Sequence, residues 1–176
     1  MEQTRTSGLI LMNHLLSTGI IMSVQKSFEQ LISLAILREE EAYDFYMEAA
    51  KKAEYSSSSK LLEELAKQEV GHKEKLKEAL GEGVCDTFTC ATVKEVEEAD
   101  LSKYLVDIPL EASSSPQDIL VIAIKKEKSA TSFYKALSEL TQHAEHRTVF
   151  ETLAKEEKKH QEILEQMYDD IFQPDN

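Results

Sequence analysis

A glutamate and a histidine three residues apart, Glu69 and His72, recur 88 residues later as Glu157 and His160. They sit in the matching segments LAKQEVGHKEKL (65–76) and LAKEEKKHQEIL (153–164), which are identical at seven of twelve positions. On an α-helix a spacing of three leaves two side chains about 60° apart and one turn along the axis, so a carboxylate and an imidazole can reach one point. A metal ion can sit at that point. The same shift carries AILREEEAYDFY (35–46) onto AIKKEKSATSFY (123–134), aligning Glu39 with Glu127 and Phe45-Tyr46 with Phe133-Tyr134. The chain is therefore two copies of a helix pair, each bringing one Glu and one Glu-x-x-His.

These residues lie on the seams that should face a core. At alternating spacings of three and four, the second helix reads Leu62, Leu65, Glu69, His72, Leu76, and the fourth reads Phe150, Leu153, Glu157, His160, Leu164, Met167. The first reads Phe28, Ile32, Ala35, Glu39, Ala42, Tyr46, Ala49, and the third Leu120, Ala123, Glu127, Ala130, Tyr134, Leu137. Such a rhythm marks a buried helix stripe. Each lone Glu is flanked by alanines, which leave room for ions where an ordinary core would place Leu or Ile.

Four carboxylates converging in a low-dielectric interior repel one another and are driven toward protonation. Two divalent ions remove that problem. Glu39, Glu69, Glu127 and Glu157 carry four negative charges, two ions carry four positive ones, and two neutral imidazoles add none. The expected geometry has Glu39 and Glu127 as terminal ligands, Glu69 and Glu157 bridging, and His72 and His160 one on each ion. Mixed oxygen and nitrogen ligation without thiolate suits iron or manganese better than a closed structural zinc site, although zinc can occupy it.

Caps and turns define the elements that position this set. Ser115-Pro116-Gln117-Asp118 predicts a helix start, with Ser as N-cap, Pro at the first helical position and an acid at the third. Subtracting 88 lands on the capping box Ser27-Phe28-Glu29-Gln30. Helix one is expected from about Ser27 to Glu54, with the Ser56–Ser59 tract turning and capping. Helix two should stop near Gly81, helix three should run from Pro116 to Leu140, and helix four from about Glu145 to Ile171. The fold class is all-α: a four-helix bundle of two repeated helix pairs (27–80 and 116–171) joined by a long crossover (81–115), the whole bundle spanning 23–172. A short helical piece is expected around Val93–Tyr104. His143 and His146, flanking the start of helix four, read as solvated.

Residues 1–22 stand outside the repeat. The segment GLILMNHLLSTGIIM (8–22) is interrupted by Asn13, His14 and Ser17-Thr18 and lacks a basic start. It is also too short and polar to span a bilayer. It reads as a packing extension or as an upstream start ahead of Met22, with a secretion signal as the lesser alternative.

At 176 residues and 41% hydrophobic content, the chain can bury a core without disulfides. The 33 acidic against 20 basic side chains give a net charge of −13, and no basic patch for a nucleic acid stands out. Cys85 and Cys90 read as two small loop residues, with a local disulfide or a redox role left open.

The doubled Glu plus Glu-x-x-His scheme is the established one of ferritin-like di-iron carboxylate bundles, so the ligand set is recognised here and not newly derived. More narrowly, the chain resembles the rubrerythrin family over roughly Ser27 to Ile171. That resemblance implies two iron ions, reduction of hydrogen peroxide or dioxygen with electrons from a rubredoxin-type donor, a cytoplasmic oxidative-stress role and a homodimer, often with exchanged helices. It departs from the family in two ways. Full-length members carry a rubredoxin module with two C-x-x-C pairs, absent here, and they usually have a further Glu where this chain has Ala130, leaving six protein ligands. Tyr46 and Tyr134 are either core aromatics needing a hydroxyl partner or proton and redox support for the site. The alternatives to a peroxidase are iron oxidation and storage as in ferritins, ranked second because no fifth helix is evident after Ile171, and a metal-binding protein without turnover.

Overall fold

Four helices arise where the seams predict them. A computed structural model describes residues 31–81, 101–104, 108, 110–111, 113–141 and 144–174. Helix α1 covers residues 31–52 of the described chain, followed by α2 (Ser56–Gly81), a 3₁₀ turn (Leu101–Tyr104), α3 (Pro116–Leu140) and α4 (Ala144–Phe172). No strand occurs among the described residues. The extension 1–22, the Ser27 capping box, Phe28, His14, His143, Cys85, Cys90 and the Val93–Asp100 part of the expected middle helix lie outside them. Of that middle helix, the last four residues form the 3₁₀ turn.

The capping signals account for the start and stop of α3. Ser115, extended at φ −70° and ψ 162°, accepts through Oγ from the Asp118 backbone N–H at 3.1 Å, and Asp118 Oδ2 accepts from the Ser115 N–H at 3.0 Å. Two otherwise orphaned donors are satisfied reciprocally, and Pro116 at the first position has none to lose. At the far end the Thr141 N–H closes onto the Leu137 carbonyl at 3.1 Å, and Arg147 donates to the Thr141 carbonyl at 2.9 Å across the turn into α4. Ser115→Ala should lower unfolding stability by about 1 kcal/mol, read as a shift of the denaturant midpoint without a change of slope.

Two expectations need correction. Helix one stops at residue 52, and the chain reverses over 53–55, so Ser56–Ser59 is the first turn of α2 and not a separate turn. The Ser59 N–H already bonds to the Tyr55 carbonyl at 3.0 Å, so helical bonding begins before the serine side chains can act as caps. His146 is buried at 1% exposure instead of solvated. The seam Phe150, Leu153, Glu157 extends one step back by four residues, which turns His146 inward.

Contacts across the bundle fix its topology. Tyr46 meets Glu127 and Glu39 meets Tyr134, so α1 and α3 run antiparallel. His72 against Glu157 and Glu69 against His160 give the same relation for α2 and α4. Ile32 grouped with Leu76 at one end and Ala49 with Leu62 at the other do so for α1 and α2, and Gln117 with Tyr168 and Glu127 with His160 for α3 and α4. Antiparallel neighbours throughout make α2 and α3 parallel. The end of α2 and the start of α3 therefore lie at opposite ends of the bundle, roughly 35 Å apart for helices of this length.

The apolar core is divided in two. One half contains Ile32, Ala35, Leu76, Phe133, Leu137, Phe150 and Leu153, and the other Phe45, Ala49, Leu62, Leu65, Leu120, Ala123 and Leu164. The 88-residue shift exchanges them: Ile32 maps onto Leu120, Phe45 onto Phe133, Leu65 onto Leu153, Leu76 onto Leu164. The repeat thus acts as a two-fold relation that swaps the ends of the bundle, and the polar seam residues lie in the layer between the two apolar halves.

Candidate metal centre

All six sequence-predicted ligands occupy that middle layer. Glu39, Glu69, Glu127, Glu157, His72 and His160 are each 3% exposed or less. Donor atoms fall into two groups, Glu39, Glu69, His72 and Glu157 in one and Glu69, Glu127, Glu157 and His160 in the other, with the atoms of each group within 4.8 Å of one another. Glu69 and Glu157 belong to both.

The individual oxygens divide accordingly. His72 Nδ1 lies 3.2 Å from Glu39 Oε2, 3.0 Å from Glu69 Oε2 and 2.9 Å from Glu157 Oε1. His160 Nδ1 lies 3.1 Å from Glu69 Oε1, 3.3 Å from Glu157 Oε2 and 3.7 Å from Glu127 Oε2. Each shared carboxylate therefore turns one oxygen to each imidazole. The rings themselves stack at 5.3 Å between centroids and 13° between planes.

Their outer nitrogens are also engaged. His72 Nε2 is 3.1 Å from Glu156 Oε2, and His160 Nε2 is 3.2 Å from Gln68 Oε1. Both acceptors are oxygens, so Nε2 carries a proton in each ring and a neutral ring keeps its lone pair on Nδ1, facing the carboxylates.

The two tyrosines find their partners across the bundle. Tyr46 donates its hydroxyl hydrogen to Glu127 Oε1, and Tyr134 donates to Glu39 Oε1. Each bond engages one carboxylate oxygen and leaves Oε2 directed inward. Burial, then the adjacent Glu127 for Tyr46 and Glu39 for Tyr134, raise both phenols well above their usual range, so they stay protonated donors at neutral pH.

Seven of the eight inward donor atoms find no hydrogen-bond partner outside the cluster: Glu39 Oε2, both oxygens of Glu69, Glu127 Oε2, Glu157 Oε1 and the two Nδ1 atoms. Buried polar atoms are seldom left so, and here they are gathered in one place. Electrostatics agree. Burial and then the charge of Glu157 push Glu127 up to about 8, and the same two causes hold Glu39 well above the carboxylate range. Burial opposes the imidazolium form, yet the surrounding carboxylates outweigh it, raising His160 to about 12 and His72 further. Glu69 and Glu157 are lowered, because the two imidazoles outweigh desolvation. Protons thus compensate the charge that cations would otherwise neutralise, and the donor chemistry fits two divalent ions.

A cavity of about 50 Å³ opens beside the cluster, lined among others by Glu39, Ala42, Tyr104, Glu127, Ala130 and Tyr134. The alanines at 42 and 130 leave this space beside Glu39 and Glu127. Tyr104 is held over it by its carbonyl, which accepts from Ser129 Oγ. Glu156, Gln68 and the cavity-lining Tyr104 were not singled out in the sequence; the first two were readable as one position of the repeat, immediately before Glu157 and Glu69. Among the described residues no helix is long and apolar enough to cross a membrane.

A family model described as Rubrerythrin matches residues 18–102 and 118–176. Its match starts inside the segment 1–22 that the repeat leaves out. Comparison with curated proteins and with solved structures yields no match.

Proposed function

Because the chain belongs to the rubrerythrin family, we propose that it is a di-iron oxidoreductase that reduces hydrogen peroxide with electrons from an external donor. The observation that carries this reading is the set of inward, partnerless donor atoms shared between two four-residue groups. Glu39, Glu69, Glu157 and His72 would hold one ion and Glu69, Glu127, Glu157 and His160 the other, with Glu69 and Glu157 common to both. An iron pair held there would supply the two electrons that, with two protons, turn one peroxide into two waters.

The protein's own part is positional. Tyr46 and Tyr134 fix the rotation of Glu127 and Glu39, so that a single oxygen of each faces the centre. The high phenol pKa values make them steady hydrogen-bond donors during turnover. The cavity beside Ala42 and Ala130 has room for an oxidant of the size of peroxide or dioxygen. We further propose a rubredoxin-type donor, since the two cysteines of these 176 residues, Cys85 and Cys90, are fewer than the four thiolates a rubredoxin-type iron site takes. A cytoplasmic homodimer completes the proposal.

Anaerobic reconstitution with Fe(II) tests this directly. The protein is expected to hold two irons per chain and to be oxidised faster by peroxide than by dioxygen, followed by the optical change of the ferric centre. Equal or negligible oxidation by both removes the peroxidase reading. A native mass of about two chains is expected, and a shell of about two dozen would favour storage.

A further inference from the structure

The two halves of the centre are related by the repeat in every ligand, but not in what stands behind the histidines. Position 68 of the first copy corresponds to position 156 of the second, and these hold Gln68 and Glu156. Because α2 and α4 are antiparallel, each serves the other copy's imidazole: Glu156 lies behind His72 at 3.1 Å, Gln68 behind His160 at 3.2 Å. A second difference reinforces the first. Lys75 places Nζ 2.5 Å from Glu156 Oε2, whereas the equivalent residue of the other copy is Ile163, which has no charge to offer Gln68.

We infer that the two metal positions are unequal, and that the one built on Glu39, Glu69, Glu157 and His72 binds a divalent ion first and more tightly. This rests on the di-metal reading above. A carboxylate accepts a stronger hydrogen bond from an imidazole N–H than a carboxamide does, because the bond is charge-assisted. The ring it holds becomes a better donor through the opposite nitrogen and loses less freedom on binding. Lys75 orients Glu156 through an ion pair in which the carboxylate stays ionised, so the bond to His72 remains charge-assisted while the pair as a whole adds no net charge. Around His160 a neutral acceptor with no countercharge provides neither advantage. Glu156 is thus a positioning residue, one that acts on the ion only through His72.

Titration of the metal-free protein with Co(II), followed by its d–d absorption and by calorimetry, reads the inequality without any turnover. The expected result is two resolved events, with the first at least about tenfold tighter, in line with the 10–100-fold weight of such outer partners. Glu156→Gln, which keeps shape and an acceptor oxygen, should weaken the tight event until the two merge. Gln68→Glu should strengthen the weak one. His160→Ala should spare the tight event, while His72→Ala should remove it. Two indistinguishable events in the unaltered protein, or a tight event unmoved by Glu156→Gln, would overturn the inference while leaving the di-metal centre standing. Failure of the unaltered protein to bind Co(II) at all would instead overturn the centre itself, and the inequality with it.

Discussion

Glu69→Ala is expected to take bound metal from two ions per chain to at most one weakly held ion, an effect matched only by Glu157→Ala. The reason lies in the two oxygens of one carboxylate. Oε2 faces His72 at 3.0 Å, Oε1 faces His160 at 3.1 Å, and neither has another partner. Removing them strips a ligand from both positions, whereas Glu39→Ala strips one only and should leave the His160 position loaded. Glu69→Gln sharpens the comparison. It preserves the side-chain shape, but its amide nitrogen cannot ligate, so one position should survive. Thermal unfolding gives a second measure, because an ion present at 1,000 times its Kd adds about 4 kcal/mol to the folded state. The unaltered protein should show a metal-dependent rise of Tm that Glu69→Ala lacks. Two ions retained per chain in Glu69→Ala would mean that Glu69 does not bridge.

The buried six-residue cluster was legible in the sequence because its residues fall on the same rhythm as the apolar seams. Glu39, Glu69, Glu127 and Glu157 sit at seam positions between residues such as Leu65 and Leu76 that can only face inward, and a charged residue at such a position demands compensation. The division of Glu69 and Glu157 between two groups also followed, since a residue central to a two-fold repeat serves both halves. What the linear pattern withheld depends on which helices become neighbours. Tyr46 could be seen to need a partner, but that the partner is Glu127 and not the Glu39 of its own helix requires α1 and α3 to lie antiparallel. Glu156 and Gln68 fall off the apolar seams and carry no ligand signal of their own; only the approach of α2 to α4 places them behind the opposite histidines. His146 shows the reverse error, a polar residue near a helix start assigned to water although the seam continued through it.

Loading the centre should expel about four protons at pH 7. Without metal, His72 and His160 hold protons because the carboxylates around them outweigh burial, and Glu39 and Glu127 hold protons because burial and the charge of Glu157 oppose ionisation. Two imidazolium charges then balance the ionised Glu69 and Glu157, whose pKa values are lowered. Two divalent ions require four carboxylates and two neutral imidazoles, so all four protons leave. Calorimetric titration in buffers of different ionisation enthalpy counts them, and the count should fall toward three above about pH 8, where Glu127 has ionised on its own. The same shifts set the pH dependence of stability. Glu127 contributes to the metal-free fold fully below its ordinary value of 4.5, and that contribution is lost as pH rises through about 8. His160 contributes fully below 6.5 and loses its share toward about 12. Both slopes have one sign, so the metal-free protein should lose Tm from about pH 5 to 9. The increment that metal adds to Tm should grow over that range, because fewer protons compete for the ligands. Release of fewer than two protons at pH 7 would show that the cluster is already ionised without cations, and that burial of its carboxylates is tolerated by some other means.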